Sequence, residues 1–177
     1  MQSFDSNVEF MQSNNAREFL SENTDEEEQQ EAYISQGKLL HRLFANIETT
    51  DDIDRALLEF EQLGLIAQGK PAEQLRYLID KRMENPQVAT WFDGSWQLFN
   101  ECTILSRDNE GNLRPQRPDR VMVKGKKAIV IDFKFGKPQQ RYRDQVQHYA
   151  QLLQRMGYQP VSGYLWYVYS GDVEQVI

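Results

Sequence analysis

The stretch that decides the fold runs from Arg117 to Phe135 and reads RPDRVMVKGKKAIVIDFKF. Two apolar runs, Val121 to Val123 and Ala128 to Ile131, flank Lys124-Gly125-Lys126-Lys127. This pattern predicts a β-hairpin, and Gly at the first central position of a two-residue loop suits a type II′ turn. With Gly125-Lys126 as the loop, Lys124 faces Lys127, Val123 faces Ala128 and Asp119 faces Asp132. Directly opposed side chains have Cβ atoms about 4.5–5.5 Å apart. Two carboxylates that close resist ionising together unless a cation lies between them. Lys134 follows Asp132 by two residues and so shares its face. Paired carboxylates beside an ammonium group are what hard-metal phosphodiester chemistry needs. A three-residue loop would shift the pairing by one residue.

Composition narrows the class. The chain has 177 residues, 40% of them apolar, with three Trp, enough for one domain with a real core. No apolar run approaches the length of a transmembrane helix, and the N-terminus lacks a basic-then-apolar signal pattern. The single Cys102 excludes an internal disulfide and a cysteine-ligated metal cluster, which fits a reducing, cytoplasmic compartment. Net charge is −7, unpromising for a nucleic-acid binder until its distribution is read. Residues 1–62 hold 15 acids and 4 bases, whereas residues 114–143 hold 10 bases and 2 acids. Those two acids are Asp119 and Asp132. A basic field around two lone carboxylates points to an anionic ligand brought to a metal.

Residues 1–30 are polar and acidic, with the block Asp25-Glu26-Glu27-Glu28, and read as a flexible leader or linker ahead of a domain over 31–177. A helix is predicted from about Glu28 to Ile47, with Leu40, Leu43, Phe44 and Ile47 on one face and Gly37 and His41 on a neighbouring strip. Gly37 allows close backbone approach there, and the carboxylates downstream make His41 a candidate metal ligand. Further helices are predicted near 51–63 and 72–84, with a shorter one near 86–92. Leu57, Leu58 and Phe60 with Leu75, Tyr77, Leu78 and Ile79 form the expected core between them. The stretch Gly64 to Lys70 nearly fits a phosphate-cradling loop, but Pro71 stands where a magnesium-binding hydroxyl is required.

Trp96 to Leu105 reads as one strand. Glu101 within it is costly to bury unpaired; it supports a metal site, pairs with a basic neighbour, or lies on an exposed face. Residues 107–116 read as a polar connection with a turn at 109–112. After the hairpin, Gln139 to Met156 is an amphipathic helix, with Tyr142, Gln145 and Tyr149 on its broad face. Arg141 and Arg143 lie in its first turn, where free N–H groups favour phosphate. Gly157 closes the helix. Val161 to Tyr169 is a strand, and Val173 to Ile177 a short final one.

With these residues in place, the chain resembles the PD-(D/E)XK nuclease superfamily in its RecB-like branch. Pro118-Asp119, twelve residues, then Asp132-Phe133-Lys134 match its signature, Gln145-Val-Gln-His-Tyr149 its later motif, and His41 its upstream helical histidine. The match covers roughly 33–169 and looks most like the nuclease domain at the C-terminal end of UvrD-, RecB- or AddA-type helicase–nuclease chains. Many members carry Gly three residues before the first Asp, where this chain has Gln116.

The resemblance implies an α/β restriction-endonuclease-like core: a central mixed β-sheet flanked by helices, with an N-terminal helical segment. It implies a DNA exonuclease domain of a repair or recombination helicase, on the same polypeptide or in the same complex, without membrane attachment or an iron–sulfur cluster. His41, Asp119, Asp132 and the Phe133 carbonyl would hold Mg²⁺ or Mn²⁺. Lys134 would act on the attacking water or the phosphate charge, and Gln145 and Tyr149 would position the DNA backbone or Lys134. Glu101 is a supporting candidate, and Arg117, Arg120, Lys137, Arg141 and Arg143 are the candidate DNA contacts. One rival reading is a catalytically idle DNA-binding or scaffolding module within a helicase, which has no need of an ammonium group beside a carboxylate pair. Another is a phosphatase or nucleotide hydrolase, which has no need of so long a basic stretch.

Overall fold

The computed structural model describes residues 37–107 and 110–177; the leader expected over 1–30 lies outside the described residues. The chain is mixed α/β and divides into two compact units, one ending at Phe92 and the other starting at Asp93. No helix among the described residues is long and apolar enough to cross a membrane.

The first unit is helical. Helix α1 covers 37–46, followed by a 3₁₀ turn at Thr50–Asp52, α2 at Ile53–Gln62, α3 at Lys70–Met83 and α4 at Pro86–Ala89. The entry to α2 is fixed by the Asp52 carboxylate, which accepts from the Thr49 N–H at 2.8 Å. Asn85 caps α4 by accepting from the Gln87 N–H at 2.9 Å, satisfying one of the orphan donors of a helix start. Leu40, Leu43, Phe44 and Ile47 are buried, as are Leu57, Phe60, Leu75 and Ile79. Leu58 and Tyr77 are not core residues: they are 53% and 50% exposed. Leu58 is one residue past buried Leu57, and Tyr77 is two residues from both Leu75 and Ile79; each residue turns a helical side chain by about 100°, which carries both off the buried stripe.

The second unit is built on a five-stranded sheet. Its strands are β1 (Gln97–Asn100), β4 (Arg120–Lys124), β5 (Lys127–Lys134), β6 (Val161–Tyr167) and β7 (Asp172–Gln175), in that spatial order. Strands β1, β4 and β5 are antiparallel neighbours, β6 is parallel to β5, and β7 is antiparallel to β6. Helix α5 (Gln140–Arg155) makes the crossover that a parallel pair requires. The remaining strands, β2 (Ile104–Arg107) and β3 (Leu113–Gln116), form a separate two-stranded ribbon.

The hairpin has the register read from the sequence. Lys124 pairs with Lys127, Val123 with Ala128 and Arg120 with Ile131. Gly125 has φ +62, whereas Glu101 alone among the described non-glycine residues has positive φ. Lys126 is therefore in the right-handed half of conformational space, which selects the II′ turn over I′. The expected single strand from Trp96 to Leu105 is corrected. Glu101, at φ +46, breaks it into β1 and β2, because a residue in the left-handed region cannot continue a strand. The expected connection over 107–116 in turn contains β3.

The face of the sheet under α5 carries the apolar cluster Val121, Val123, Ala128, Val130, Val161 and Leu165, met by Val146, Tyr149, Ala150 and Leu153 of the helix. Gly163 permits this approach, since a Cβ there would lie 2.6 Å from Val146 Cγ1. Gly163→Ala should therefore lower unfolding stability by about 1–3 kcal/mol through overpacking. Chemical denaturation of Gly163→Ala, Val146→Ala and the double variant checks this, because trimming Val146 should relieve the strain. Strictly additive losses would show that the two residues do not meet.

Candidate active site

Strand alternation sorts the charged residues of the hairpin. Asp132 and Lys134 share the α5-side face with Ala128 and Val130. Asp119 stands one residue beyond the last paired positions, where the register sets it opposite Asp132. Both carboxylates are withdrawn from water, Asp119 at 9% and Asp132 at 2% exposure. Each is compensated. Asp119 Oδ2 accepts from the Phe133 N–H at 2.7 Å, and Asp132 Oδ2 pairs with the Lys134 ammonium.

Helix α5 supplies the next layer. Lys134 Nζ donates to Gln145 Oε1 at 3.3 Å. Gln145 Nε2 donates to the Tyr149 hydroxyl at 2.7 Å, and that hydroxyl donates to the Arg117 carbonyl at 3.4 Å. Gln145 and Tyr149 are one helical turn apart, which is why a single helix can hold both ends of the chain of bonds. Burial pushes the Tyr149 phenol up from its ordinary value; the Gln145 bond opposes this and the Asp132 and Asp119 carboxylates add to it. Tyr149 is therefore a neutral donor through the physiological range.

Two tyrosines that the sequence reading did not assign to the site also belong here. The ring of Tyr142 lies 4.3 Å from Lys134 Nζ, a distance at which its negative face attracts the ammonium. Tyr167 pairs in register with Lys134 across β5 and β6. Its hydroxyl is buried, with no hydrogen-bond partner among the described residues. Burial raises its pKa, with Glu174 the next cause. The Tyr142 contact follows from position three before Gln145 on α5 and was open to inference; that of Tyr167 needs the β5–β6 register, which no local pattern encodes.

The other candidates are placed as follows. Glu101 takes the basic-neighbour reading: Arg117 Nη2 donates to its Oε2 at 2.6 Å and Arg117 Nε to its carbonyl at 3.0 Å. The Glu101 N–H also donates to the Asp119 carbonyl at 2.8 Å. Arg143 is engaged with Glu174 of β7. Lys137 and Arg141 are exposed, with the Arg141 guanidinium 5.2 Å from the Tyr142 ring. Arg120 is corrected as a DNA contact. It is 1% exposed and leaves the sheet on the face opposite Asp119, because neighbours on a strand alternate. Phe133 likewise turns its ring to that face, edge-on to Trp166 at 5.6 Å. His41 is half-buried on α1 of the helical unit, on the strip it shares with Gly37. Among the described residues of the second unit, no further His, Cys, Asp or Glu joins Asp119 and Asp132 in a preformed metal cluster.

Because folded Tyr149 keeps its proton beyond the unfolded value of about 10, the unfolded chain ionises first as pH rises. Stability should be unaffected below that pH and fall above it. Tyr149→Phe should remove part of the alkaline loss, with Tyr167 retaining its own share, as chemical denaturation across the alkaline range would measure. An unchanged alkaline slope would mean that the Tyr149 phenol is not shielded.

No family model matches this chain and no curated protein matches its sequence, so the reading of the site rests on its own geometry and chemistry.

Proposed function

We propose that this chain is a Mg²⁺- or Mn²⁺-dependent DNA nuclease of the PD-(D/E)XK type, an exonuclease domain serving a DNA-repair or recombination helicase. The observation that carries the reading is the placement of Asp119, Asp132 and Lys134 on one face of one hairpin, with Lys134 tied through Gln145 to Tyr149. A binding module has no use for an ammonium group fixed beside a buried carboxylate pair.

The donor set fits a hard divalent cation, which takes carboxylate and carbonyl oxygens. Two carboxylates against one ammonium group also leave a net negative charge for a cation to neutralise. Asp119, Asp132 and the Phe133 carbonyl would hold it, with His41 as a further ligand. When bound, the metal supplies an acidified water and polarises a phosphoryl oxygen. Lys134 then has a donor free to orient that water or meet the charge growing on the phosphate. Gln145 fixes where Lys134 points, and Tyr149, as a neutral donor, anchors Gln145 to the main chain. Burial keeps bulk water from screening these charges. Lys137 and Arg141, exposed beyond the end of β5, would meet the strand's phosphates.

Digestion of end-labelled single-stranded, duplex and circular DNA with and without Mg²⁺ tests the activity, and an exonuclease should spare the circle. Lys134→Ala should lower the cleavage rate by about 10²-fold or more while retaining Mn²⁺ binding by calorimetry. Asp132→Ala should lose both. Near wild-type turnover of Lys134→Ala would remove the nuclease assignment from this site. His41→Ala should weaken Mn²⁺ binding without unfolding the chain; unaltered binding would leave the carboxylates as the only side-chain ligands.

A further inference from the structure

The far end of the hairpin carries a second charged cluster, for which the proposed hydrolysis has no use. Lys124 and Lys127 are directly opposed across the ladder, with Lys126 between them in the turn. All three are exposed. Like charges in opposed positions repel one another and weaken a hairpin. Here they are also drawn together: Lys124 Nζ is 5.9 Å and Lys127 Nζ 5.5 Å from the centroid of one indole, that of Trp96. The ring attracts both ammonium groups, so it concentrates positive charge that would otherwise splay apart. The turn itself is braced, since the Gln159 N–H donates to the Lys126 carbonyl at 2.7 Å. Asp93 lies near enough to Lys124 to feel its charge. It is committed to the Ser95 N–H at 2.8 Å, and its carboxyl is held below the usual range mainly by Ser95, with Lys124 a lesser cause. Among the described residues no carboxylate forms a salt bridge with the three lysines.

We propose that this tip is a phosphate-backbone clamp for a nucleic-acid strand, a fixed cationic site formed by Lys124, Lys126, Lys127 and Trp96. The choice of nucleic acid over other polyanions rests on the nuclease reading; the charge concentration does not. Five residues of β4 separate Asp119 from Lys124, roughly 17 Å at about 3.3 Å per residue. Successive phosphates of one strand fall about 3.4 Å apart along a duplex. Lys124 and Lys127 leave the sheet on the face opposite Asp119, so the path between the two points is longer than that straight run. Along a duplex the clamp would therefore hold the strand at least about five nucleotides from the bond presented to the carboxylates.

The test uses the full chain in metal-free buffer with labelled oligothymidylate. Lys124→Gln/Lys126→Gln/Lys127→Gln should bind at least about tenfold more weakly, with a log–log salt slope shallower by about 2, the release expected from three single-strand phosphates. The corresponding triple Arg variant should restore both. Unchanged affinity and slope in the Gln variant would overturn the clamp. Polyglutamate or anionic vesicles binding as tightly as the oligonucleotide, with the same lysine dependence, would also overturn it in favour of an acidic protein or a membrane surface. The same titration with Asp119→Asn/Asp132→Asn protein separates this proposal from the catalytic one. Lysine-dependent binding there stands even if no hydrolysis is ever found, and oligonucleotide cleavage by wild-type protein whose binding is insensitive to the lysines would sustain catalysis and overturn the clamp.

Discussion

The polar contacts of the candidate site depend on the register of β4 against β5, and that register depends on Gly125 at φ +62. A side chain at this position would meet no steric obstacle from its neighbours, so the constraint is purely one of backbone conformation. A one-residue slip would turn Asp119 or Asp132 to the opposite face. The carboxylates would then lose each other, Lys134 and the helix above them. One small residue at the tip thus sets the chemistry available at the base.

The second constraint is electrostatic. β5 is the central strand and is buried along six consecutive residues, a poor place for ionised groups unless each is compensated. The compensation is local: a main-chain N–H for Asp119, an ammonium two residues along the same strand for Asp132. The carboxylates also lie toward the C-terminal end of β5, which runs parallel to β6 beneath α5. The carboxyl ends of parallel strands are where open α/β sheets commonly leave a crevice for ligands. Fold and charge therefore put the carboxylates and Lys134 at the same end of the sheet.

Much of this was legible in the sequence because it is encoded locally. The II′ turn is written in Gly125-Lys126, the shared face in the two-residue spacing of Asp132 and Lys134, and the Gln145–Tyr149 contact in a four-residue helical spacing. What was hidden depends on non-local or single-residue backbone choices. The break at Glu101 is a left-handed residue in an otherwise strand-like run, and nothing in WQLFNECTIL announces it. Counting Arg120 with the basic field ignored that an adjacent strand residue must point the other way. The engagement of Arg143 with Glu174 joins residues 31 positions apart in sequence, beyond any pattern a window can read.

The break at Glu101 does more than end a strand. Arg117 grips both the carbonyl and the carboxylate of Glu101, and the Glu101 N–H holds the Asp119 carbonyl. The ribbon of β2 and β3 is thereby closed at its base by three bonds, independently of what its far end contains. Lengthening a loop already closed in this way costs little, about 0.6 kcal/mol for each doubling. The ribbon is therefore where this architecture can accept new sequence, growing, shrinking or exchanging its outer part while Asp119 stays in register. Sequence can vary there without any change to the residues that hold the carboxylates.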